Sequence, residues 1–367
     1  MSSCVYATPA PPFALCEEEL KVQDGVNSGI SPYIVHKESV WARKLTLPSP
    51  IVPSSRCIHR DCVKPCAPDF WILGTRKGGT TALYTWMTEH VQVARLHIQN
   101  KPTDGEVHEI LTKENLKRYN AQFDGDPEGM LRGDSTVSRI INDARTMVET
   151  CGHKHVKFIV LLRDPIERAV SNMLMRARLG TAGMSMASNL SHFVERELVA
   201  FEDAVRQNPS WDRGIVPGHL NRWHSSKNCI YEGLYAVHLR RWFVYAGMDN
   251  IRIYFTEDFE KYTMEVVEDA LAFVGANMTL WDGQRAGRTF SKANAPNARP
   301  VLSGHVDKGQ HLIDERVRRA APAAHQSDAL PENLLLVPAL RARMEQVFAP
   351  YNLMLARMLH TTLPWSY

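Results

Sequence analysis

The sequence predicts an α/β domain in three layers, with a mainly parallel central sheet and helices on both of its faces. Two observations support this prediction. Short apolar runs typical of buried strands alternate along the chain with segments whose apolar residues recur at helical spacing. The clearest run covers residues 156–162 and is almost continuously apolar, as expected of a parallel strand that is buried on both faces. Sheets of this kind bind ligands beyond the carboxyl ends of their strands.

The composition excludes several classes of protein. Of the 367 residues, 44% are hydrophobic and 23% are charged, which is typical of a globular protein and not of a disordered or fibrous one. The net charge is only +3, so we expect no nucleic-acid partner and expect a local cluster to bind any anionic ligand. We expect no membrane span and no signal peptide, because no apolar run is long enough and Glu17, Glu18 and Glu19 lie near the start.

The chain is predicted to have two parts. Residues 1–68 are rich in Pro and Ser and show no sustained period, so we interpret them as an irregular N-terminal arm, and residues 69–367 as one folded domain. Cys57, Cys62 and Cys66 lie close together, and His59 could complete a zinc site. A local disulfide or plain thiols are the favoured interpretation of these cysteines, and we predict no metal site.

The predicted elements start with a strand over residues 70–74, a tight loop, and a helix over 80–90. The strand over 156–162 is followed by a helix that begins at Pro165, a residue suited to a first helical turn. Further elements follow in order: helices over 192–207 and 233–245, a strand over 250–255, a helix ending near 274–275, an irregular stretch over about 283–333, and a helix over 340–348.

The loop between the first strand and its helix has the features of a phosphate site. Glycines allow the backbone to approach an anion closely, N–H groups at the start of a helix point at its oxygens, and a lysine adds a full charge. An ordinary glycine-rich turn with an exposed lysine is the alternative. The predicted phosphate-binding residues are Arg76, Lys77, Gly78, Gly79, Thr80 and Thr81.

This loop differs from a Walker loop, in which lysine and a hydroxyl residue come last. The order Lys-Gly-Gly-Thr-Thr after a strand resembles the 5′-phosphosulfate loop of sulfotransferases that use 3′-phosphoadenosine 5′-phosphosulfate (PAPS). A second signature of that family, Arg163-Asp164-Pro165 followed by Arg168 and Ser171, is also present. The resemblance implies a P-loop NTPase-like sulfotransferase core over residues 69–367, PAPS as cofactor without a metal, and Arg163, Arg168 and Ser171 as ligands of the 3′-phosphate.

Later segments resemble the carbohydrate branch of this family. Residues 233–243 resemble its Gly-x-Tyr-x-x-x-Leu-x-x-Trp helix, and residues 348–352 with Trp365 resemble its C-terminal end. Those enzymes sulfate heparan or chondroitin chains in the Golgi lumen, so the resemblance implies a hydroxyl or amine of a glycan or other polar acceptor. Because we see no anchor, a soluble protein outside the Golgi stays open as an alternative.

Sulfuryl transfer needs a base, charge stabilisation and in-line positioning of the reactants. Lys77 suits charge stabilisation. The segment 105–108 resembles one found in heparan sulfate 3-O-sulfotransferases, which implies Glu106 as the base and His108 as its substitute. Where those enzymes carry Glu-Lys-Thr-Pro, this chain has Asp134 in place of the lysine. The reversed charge favours a different acceptor or a different way of holding it, and makes Asp134 an alternative base.

Two other functions fit parts of the pattern. A small-molecule kinase would also place phosphates between a strand and a helix, but it would need a Walker loop and magnesium ligands. A relative that binds PAPS without turnover is the other alternative. Basic side chains that could contact an acidic acceptor, although they usually form a solvated face, are Lys113, Lys117, Arg118, Arg176 and Arg178.

Overall fold

The computed structural model describes residues 68–94, 96–98, 101–102, 116–123, 129–136, 139–141, 144, 147–148, 156–180, 189–207, 229–283, 336–365 and 367. The predicted N-terminal arm with its cysteine cluster, and most of the stretch predicted to be irregular, lie outside these residues. So do Glu106 and His108. The predicted domain boundary therefore remains a prediction.

Within the described residues, five parallel strands form one sheet, in the order β2-β5-β1-β6-β7. A separate antiparallel pair is formed by β3 and β4. The strands are β1 Phe70–Gly74, β2 Val93–Ala94, β3 His97–Ile98, β4 Lys101–Pro102, β5 Leu131–Asp134, β6 Lys157–Leu162 and β7 Ile251–Phe255. The prediction of an α/β fold with a parallel central sheet is confirmed.

Helices alternate with these strands. The α-helices are α1 Thr80–Met87, α2 Leu116–Asn120, α3 Pro165–Leu179, α4 Leu190–Gln207, α5 Tyr235–Ala246, α6 Thr256–Lys261, α7 Thr263–Phe273 and α8 Pro338–Leu359. Helix α1 packs against α7, whereas α8 packs against α3, α4 and α5. Short 3₁₀ turns cover Ala121–Phe123, Arg139–Ile141, Tyr231–Gly233, Met248–Asn250 and Met278–Leu280.

The start of α3 shows how local sequence fixes the geometry of the site. Strand β6 is buried along almost its whole length and ends at Leu162. Asp164 caps the next helix, and its Oδ1 accepts hydrogen bonds from the backbone N–H groups of Ile166 at 2.8 Å and Glu167 at 3.2 Å. Pro165 occupies the first turn, where its missing N–H is not needed. The residues that follow β6 are thereby held at the sheet edge.

The order of the strands locates the ligand crevice. Strand β1 is the middle strand, and the chain leaves it toward β2 at one edge of the sheet. From β6, the neighbour of β1, the chain continues to β7 at the opposite edge. Adjacent strands whose connections run in opposite directions open a crevice at their carboxyl ends, and ligands of doubly wound sheets bind there. Both phosphate-binding signatures of the sequence follow these two strands.

Several elements differ from the sequence predictions. Helix α8 continues through Pro350 to Leu359 instead of ending near residue 348. Buried side chains on both sides of the proline, including Phe348, Tyr351 and Leu355, anchor the helix in the core and offset the cost of the lost hydrogen bond. Strands β2 to β5 and helix α2 were not predicted. Among the described residues, no helix is both long and apolar enough to cross a membrane.

Candidate functional site

The first loop, Thr75–Gly79, is tied to the neighbouring strand. The backbone N–H and the side-chain hydroxyl of Thr75 both donate to the carbonyl oxygen of Leu161 in β6, at 2.8 and 2.9 Å. Gly78 N–H then donates to the Thr75 carbonyl at 2.9 Å, which closes a tight turn ahead of α1. The loop is therefore held against the end of β6.

The two glycines of this loop are required by geometry. A Cβ on Gly78 would lie 2.8 Å from the Leu161 carbonyl oxygen and 2.8 Å from the Thr75 hydroxyl, closer than such atoms can approach. Gly79 has a φ of +95°, which side-chain-bearing residues rarely adopt. The first N–H groups of α1, which follows at Thr80, have no partner within the helix. This arrangement suits an anion at the helix start.

Lys77 is the chemically distinctive residue of the first loop. Its φ of 68° lies in the left-handed region, and its side chain is half-buried. Burial lowers the pKa of its ammonium group, and the nearby charges of Arg178, Arg163 and Arg76 lower it further. A cation held among other cations in a partly desolvated place is stabilised by a bound anion. The charges therefore fit a phosphate or sulfate ligand.

The second loop, Arg163–Asp164, lies beside the first. Arg163 Nη1 is 3.3 Å from the carbonyl oxygen of Lys77 and donates to it. From the other side, Thr256 at the start of α6 donates to the carbonyl oxygens of Gly78 at 2.8 Å and Leu162 at 3.1 Å. The structure therefore brings Lys77 and Arg163 together, as the sequence signatures require for one ligand.

The remaining predicted ligands lie on the two helices that leave these loops. Thr80 is buried and Thr81 is exposed at the start of α1. Ser171 is half-buried on α3, about two helical turns beyond Asp164 and on the same face of the helix. The assignment of their hydroxyls to phosphate contacts remains a prediction.

The two other arginines of the signatures face a buried acid. Arg168 is fully buried, and its Nη1 donates to Glu232 Oε2 at 3.0 Å while Nη2 donates to the carbonyl oxygen of Cys229. Arg76 Nε lies 3.9 Å from Glu232 Oε1. The resemblance implied that Arg168 grips a phosphate, but the structure places it in an internal ion pair. Arg76 lies in the loop as predicted, with its side chain directed toward the same acid.

Asp134 is also an internal group. Its carboxylate accepts hydrogen bonds from Tyr119 OH at 2.6 Å, Arg139 Nη2 at 3.0 Å and Thr136 N–H at 2.7 Å, and the residue is fully buried. It pairs with Trp71 in the sheet register, well before the end of β1. A carboxylate that is occupied by three donors and closed to solvent cannot receive a proton from an acceptor substrate, so we do not retain Asp134 as an alternative base.

Other residues around the two loops were not singled out from the sequence. Tyr235 OH donates to the Arg163 carbonyl at 2.8 Å, and Glu257 Oε1 accepts from Asp164 N–H at 3.2 Å. Burial raises the pKa of Glu257. Tyr367 OH lies 3.1 Å from Asp164 Oδ1. For Tyr235 a signal existed, the Gly-x-Tyr motif, whereas nothing in the sequence marks Glu257 or Tyr367. No group of three or more His, Cys, Asp or Glu that could hold a metal occurs within the described ranges.

Solved structures similar to this chain include a sulfotransferase from Alicyclobacillus acidocaldarius (18% identity, 81% of this chain and 97% of the other, TM-score 0.48). Others are a mouse sulfotransferase complexed with PAP (15%, 80% and 87%, 0.43) and retinol dehydratase complexed with retinol and PAP (15%, 82% and 84%, 0.38). All three TM-scores are below 0.5. No curated protein matches the sequence significantly.

The family is shown by a match between the sequence and a family model. The profile of the Sulfotransferase domain matches residues 67–300, which is more than half of the chain and includes both loops. This match also argues against the alternative of a small-molecule kinase. On this match, together with the parallel sheet and its P-loop-like first loop, the chain belongs to the sulfotransferase family and is an enzyme of the transferase class.

Proposed function

We propose that this protein transfers a sulfuryl group from PAPS to a hydroxyl or amine of a carbohydrate or other polar acceptor. The observation that carries the proposal is the contact between the two loops at the switch point of the sheet. A loop shaped for one phosphate and an arginine suited to another lie side by side, with Arg163 Nη1 3.3 Å from the Lys77 carbonyl. Such a pair of sites fits a donor that carries phosphates at two positions, as PAPS does.

The residues present fit this donor. Gly78 lets the first loop pack against the end of β6, because a Cβ there would lie 2.8 Å from the Leu161 carbonyl oxygen and 2.8 Å from the Thr75 hydroxyl. The N–H groups at the start of α1 and the Lys77 ammonium would hold the 5′-phosphosulfate, together with Gly79, Thr80 and Thr81. The planar guanidinium of Arg163 and the hydroxyl of Ser171 would hold the 3′-phosphate. PAPS supplies an activated sulfuryl group when it is bound.

Lys77 has the properties that the transfer step requires. Its lowered pKa makes the ammonium group a better proton donor than an ordinary lysine, while the positive charge balances negative charge on a departing phosphate oxygen. Its Nζ can therefore both stabilise charge and supply a proton. Arg76 contributes positive charge beside it and is held by Glu232.

The identity of the base is the second half of the proposal. We propose Glu106 as the group that takes the acceptor proton, with His108 as the substitute, from their resemblance to a segment of heparan sulfate 3-O-sulfotransferases. The engagement of Asp134 in an internal network supports this choice, because it removes the competing carboxylate. A Glu106→Gln variant that keeps donor affinity but loses turnover is the expected outcome. Unchanged turnover would exclude Glu106 as the base.

The cofactor site is tested by calorimetric titration with 3′-phosphoadenosine 5′-phosphate (PAP), the desulfated donor, in the presence of either magnesium or a chelator. We expect binding under both conditions. Removing a charge-assisted contact in Arg163→Ala should weaken it roughly 10- to 100-fold. A matched control is Arg206→Ala, which changes an exposed arginine at the end of α4. Wild-type protein that does not bind PAP would overturn the proposal.

The acceptor is tested by transfer of labelled sulfate from PAPS to a panel of desulfated heparan, chondroitin and small hydroxyl compounds. A glycosaminoglycan acceptor, and with it the Golgi lumen as the place of action, is the finer hypothesis that the resemblance to the carbohydrate branch supports. Transfer to a small hydroxyl compound alone would contradict the carbohydrate acceptor and leave the donor assignment intact. Tight PAP binding without transfer to any acceptor would indicate the alternative of a binding protein without turnover.

A further inference from the structure

A segment outside both loops contacts both of them. We call residues Cys229–Tyr235 the brace; it comprises the 3₁₀ turn Tyr231–Gly233 and the start of α5. Its side chains contact the first loop at Thr75 and Arg76 and the second loop at Arg163. The brace therefore lies at the junction of two sites that we propose for the two phosphates of one ligand.

Tyr235 makes the central contact of the brace. Its ring is buried, and its hydroxyl donates to the Arg163 carbonyl oxygen at 2.8 Å. The same hydroxyl contacts the Thr75 side chain, which itself donates to the Leu161 carbonyl at 2.9 Å. Burial raises the pKa of Tyr235 to about 12, so the hydroxyl keeps its proton and remains a donor at neutral pH. One phenol thus connects the start of the first loop to the backbone of the second.

The peptide between Arg163 and Asp164 is held at both of its polar groups. Its carbonyl accepts from Tyr235 OH, and its N–H donates to Glu257 Oε1 at 3.2 Å. A peptide fixed in this way cannot rotate without losing two hydrogen bonds, and its orientation determines where the Arg163 side chain begins. The position of the guanidinium relative to Lys77 therefore depends on Tyr235.

Glu232 reinforces the same junction from one turn away. It is buried and accepts from Arg168 Nη1 at 3.0 Å and Asn172 Nδ2 at 3.2 Å, both on α3, while its other oxygen faces Arg76 of the first loop. The helix that follows the second loop is thereby linked to the first loop through one carboxylate. The brace thus links the first loop to the second loop and its helix through two independent contacts, one made by Tyr235 and one by Glu232.

We propose that Tyr235 is a positioning residue for sulfuryl transfer, and that its hydroxyl fixes the spacing between the loop that carries Lys77 and the loop that carries Arg163. The inference rests on the proposed function. Tyr235 itself touches neither donor nor acceptor in this scheme and acts through Arg163 and Thr75. A ligand that spans both loops depends on their spacing, whereas a ligand that occupies one loop does not.

The test is the variant Tyr235→Phe, which keeps the buried ring and removes the hydroxyl. The control is Tyr254→Phe, which changes a buried tyrosine of β7 whose hydroxyl donates to Asp269 Oδ2 at 2.8 Å, away from both loops. For each protein we would measure the Kd of PAP, of adenosine 5′-phosphate and of adenosine 3′-phosphate, together with kcat and KM for PAPS. Melting temperatures establish that the variants are folded.

We expect Tyr235→Phe to weaken PAP binding roughly three- to tenfold, the loss of about one hydrogen bond, and to weaken each monophosphate less than twofold or so. KM for PAPS should rise and kcat should fall, while Tyr254→Phe leaves the ratio of PAP to monophosphate affinity unchanged. A general loss of stability would not change that ratio. If Tyr235→Phe does not fold, Thr75→Val removes the hydroxyl that Tyr235 contacts and also its bond to the Leu161 carbonyl oxygen. This variant should weaken adenosine 5′-phosphate binding as well, but PAP binding more than either monophosphate.

Two results would overturn the inference. The first is a PAP affinity equal to that of the wild type, and the second is an equal weakening of all three ligands. Failure of the proposed function is distinguishable, because the wild-type protein would then not bind PAP at all. Wild-type binding with an unaffected Tyr235→Phe variant would exclude only the positioning role.

Discussion

The two loops at the carboxyl edge of the sheet keep their shapes by different means. The first loop depends on backbone geometry, with Gly78 pressed against the Leu161 carbonyl and Lys77 at a φ of 68°. The second depends on side chains that surround it, namely the Asp164 cap, Tyr235 and Glu257. This difference teaches that loss of the Lys77 side chain should act on the chemistry, whereas loss of the supports around the second loop should act on stability and affinity.

The strongest expected effect on stability concerns Arg168, behind the second loop. Arg168→Ala leaves Glu232 and the Cys229 carbonyl buried without their main cation, which should lower the free energy of unfolding by about 3–5 kcal/mol. Chemical denaturation measures this loss. The matched control is Arg163→Ala, the other arginine of the same motif, which should lose affinity for PAP with little loss of stability. Equal stabilities of the two variants would contradict the internal role of Arg168.

Lys77→Ala should have the opposite effect, a loss of activity without a loss of stability. Removing the charge that stabilises the departing oxygen should lower kcat by about 10²- to 10³-fold, while the protein remains at least as stable as the wild type. The control is Lys157→Ala, another partly buried lysine with a lowered pKa, which lies at the start of β6 beside Asn250. Steady-state kinetics with saturating PAPS measure the effect. Undiminished turnover in Lys77→Ala would exclude the proposed mechanism.

A smaller, pH-dependent effect is expected at Glu197 of α4, which supports the brace. Its Oε2 accepts from Cys229 N–H at 2.6 Å, and burial raises its pKa from an ordinary 4.5 to about 7. Because the folded pKa is raised, ionisation opposes folding, and the free energy of unfolding should fall as pH rises from 4.5 toward 7. Across this range the free energy of unfolding should fall by at most about 3 kcal/mol.

The variant Glu197→Gln keeps an acceptor for the Cys229 N–H and removes the charge. The difference in free energy of unfolding between this variant and the wild type should therefore increase between pH 5 and pH 8, by up to about 3 kcal/mol in favour of the variant. Denaturation curves at both pH values measure the difference. Glu202→Gln is the control on the same helix, since Glu202 forms a more exposed pair with Arg343. A constant difference between Glu197→Gln and wild type at all pH values would contradict the raised pKa.

Sequence reasoning succeeded where local pattern and tertiary structure agree. Strands β1, β6 and β7 are mostly apolar runs, although Arg252 interrupts β7, and the cap and proline of α3 are local signals. It failed for β5, whose Leu-Arg-Gly-Asp sequence is not a typical strand. There, the ring of Phe70 fills the space over Gly133, where a Cβ would lie 2.2 Å from it, and Asp69 binds the Arg132 backbone N–H at 2.9 Å. Partners distant in sequence create this strand.

The same limit applies to the site. Both loops could be predicted, because glycines and an arginine at a strand end carry local signals. The contrasting roles of Arg163 and Arg168 could not, since their separation depends on Glu232, more than sixty residues later in the chain. Asp134 shows the same limit, because only its partners Tyr119 and Arg139 reveal that it is an internal acid. The candidate bases Glu106 and His108 remain predictions.

Position 77 is a place where folding and catalysis favour different residues. A φ of 68° is one that glycine adopts freely and a lysine at a cost on the order of 1 kcal/mol or more, and burial near three arginines further disfavours the charge. A library selected only for thermal resistance should therefore drift from lysine toward glycine or asparagine here. A library selected for turnover should retain it, so the two selections would rank the same substitutions in opposite orders.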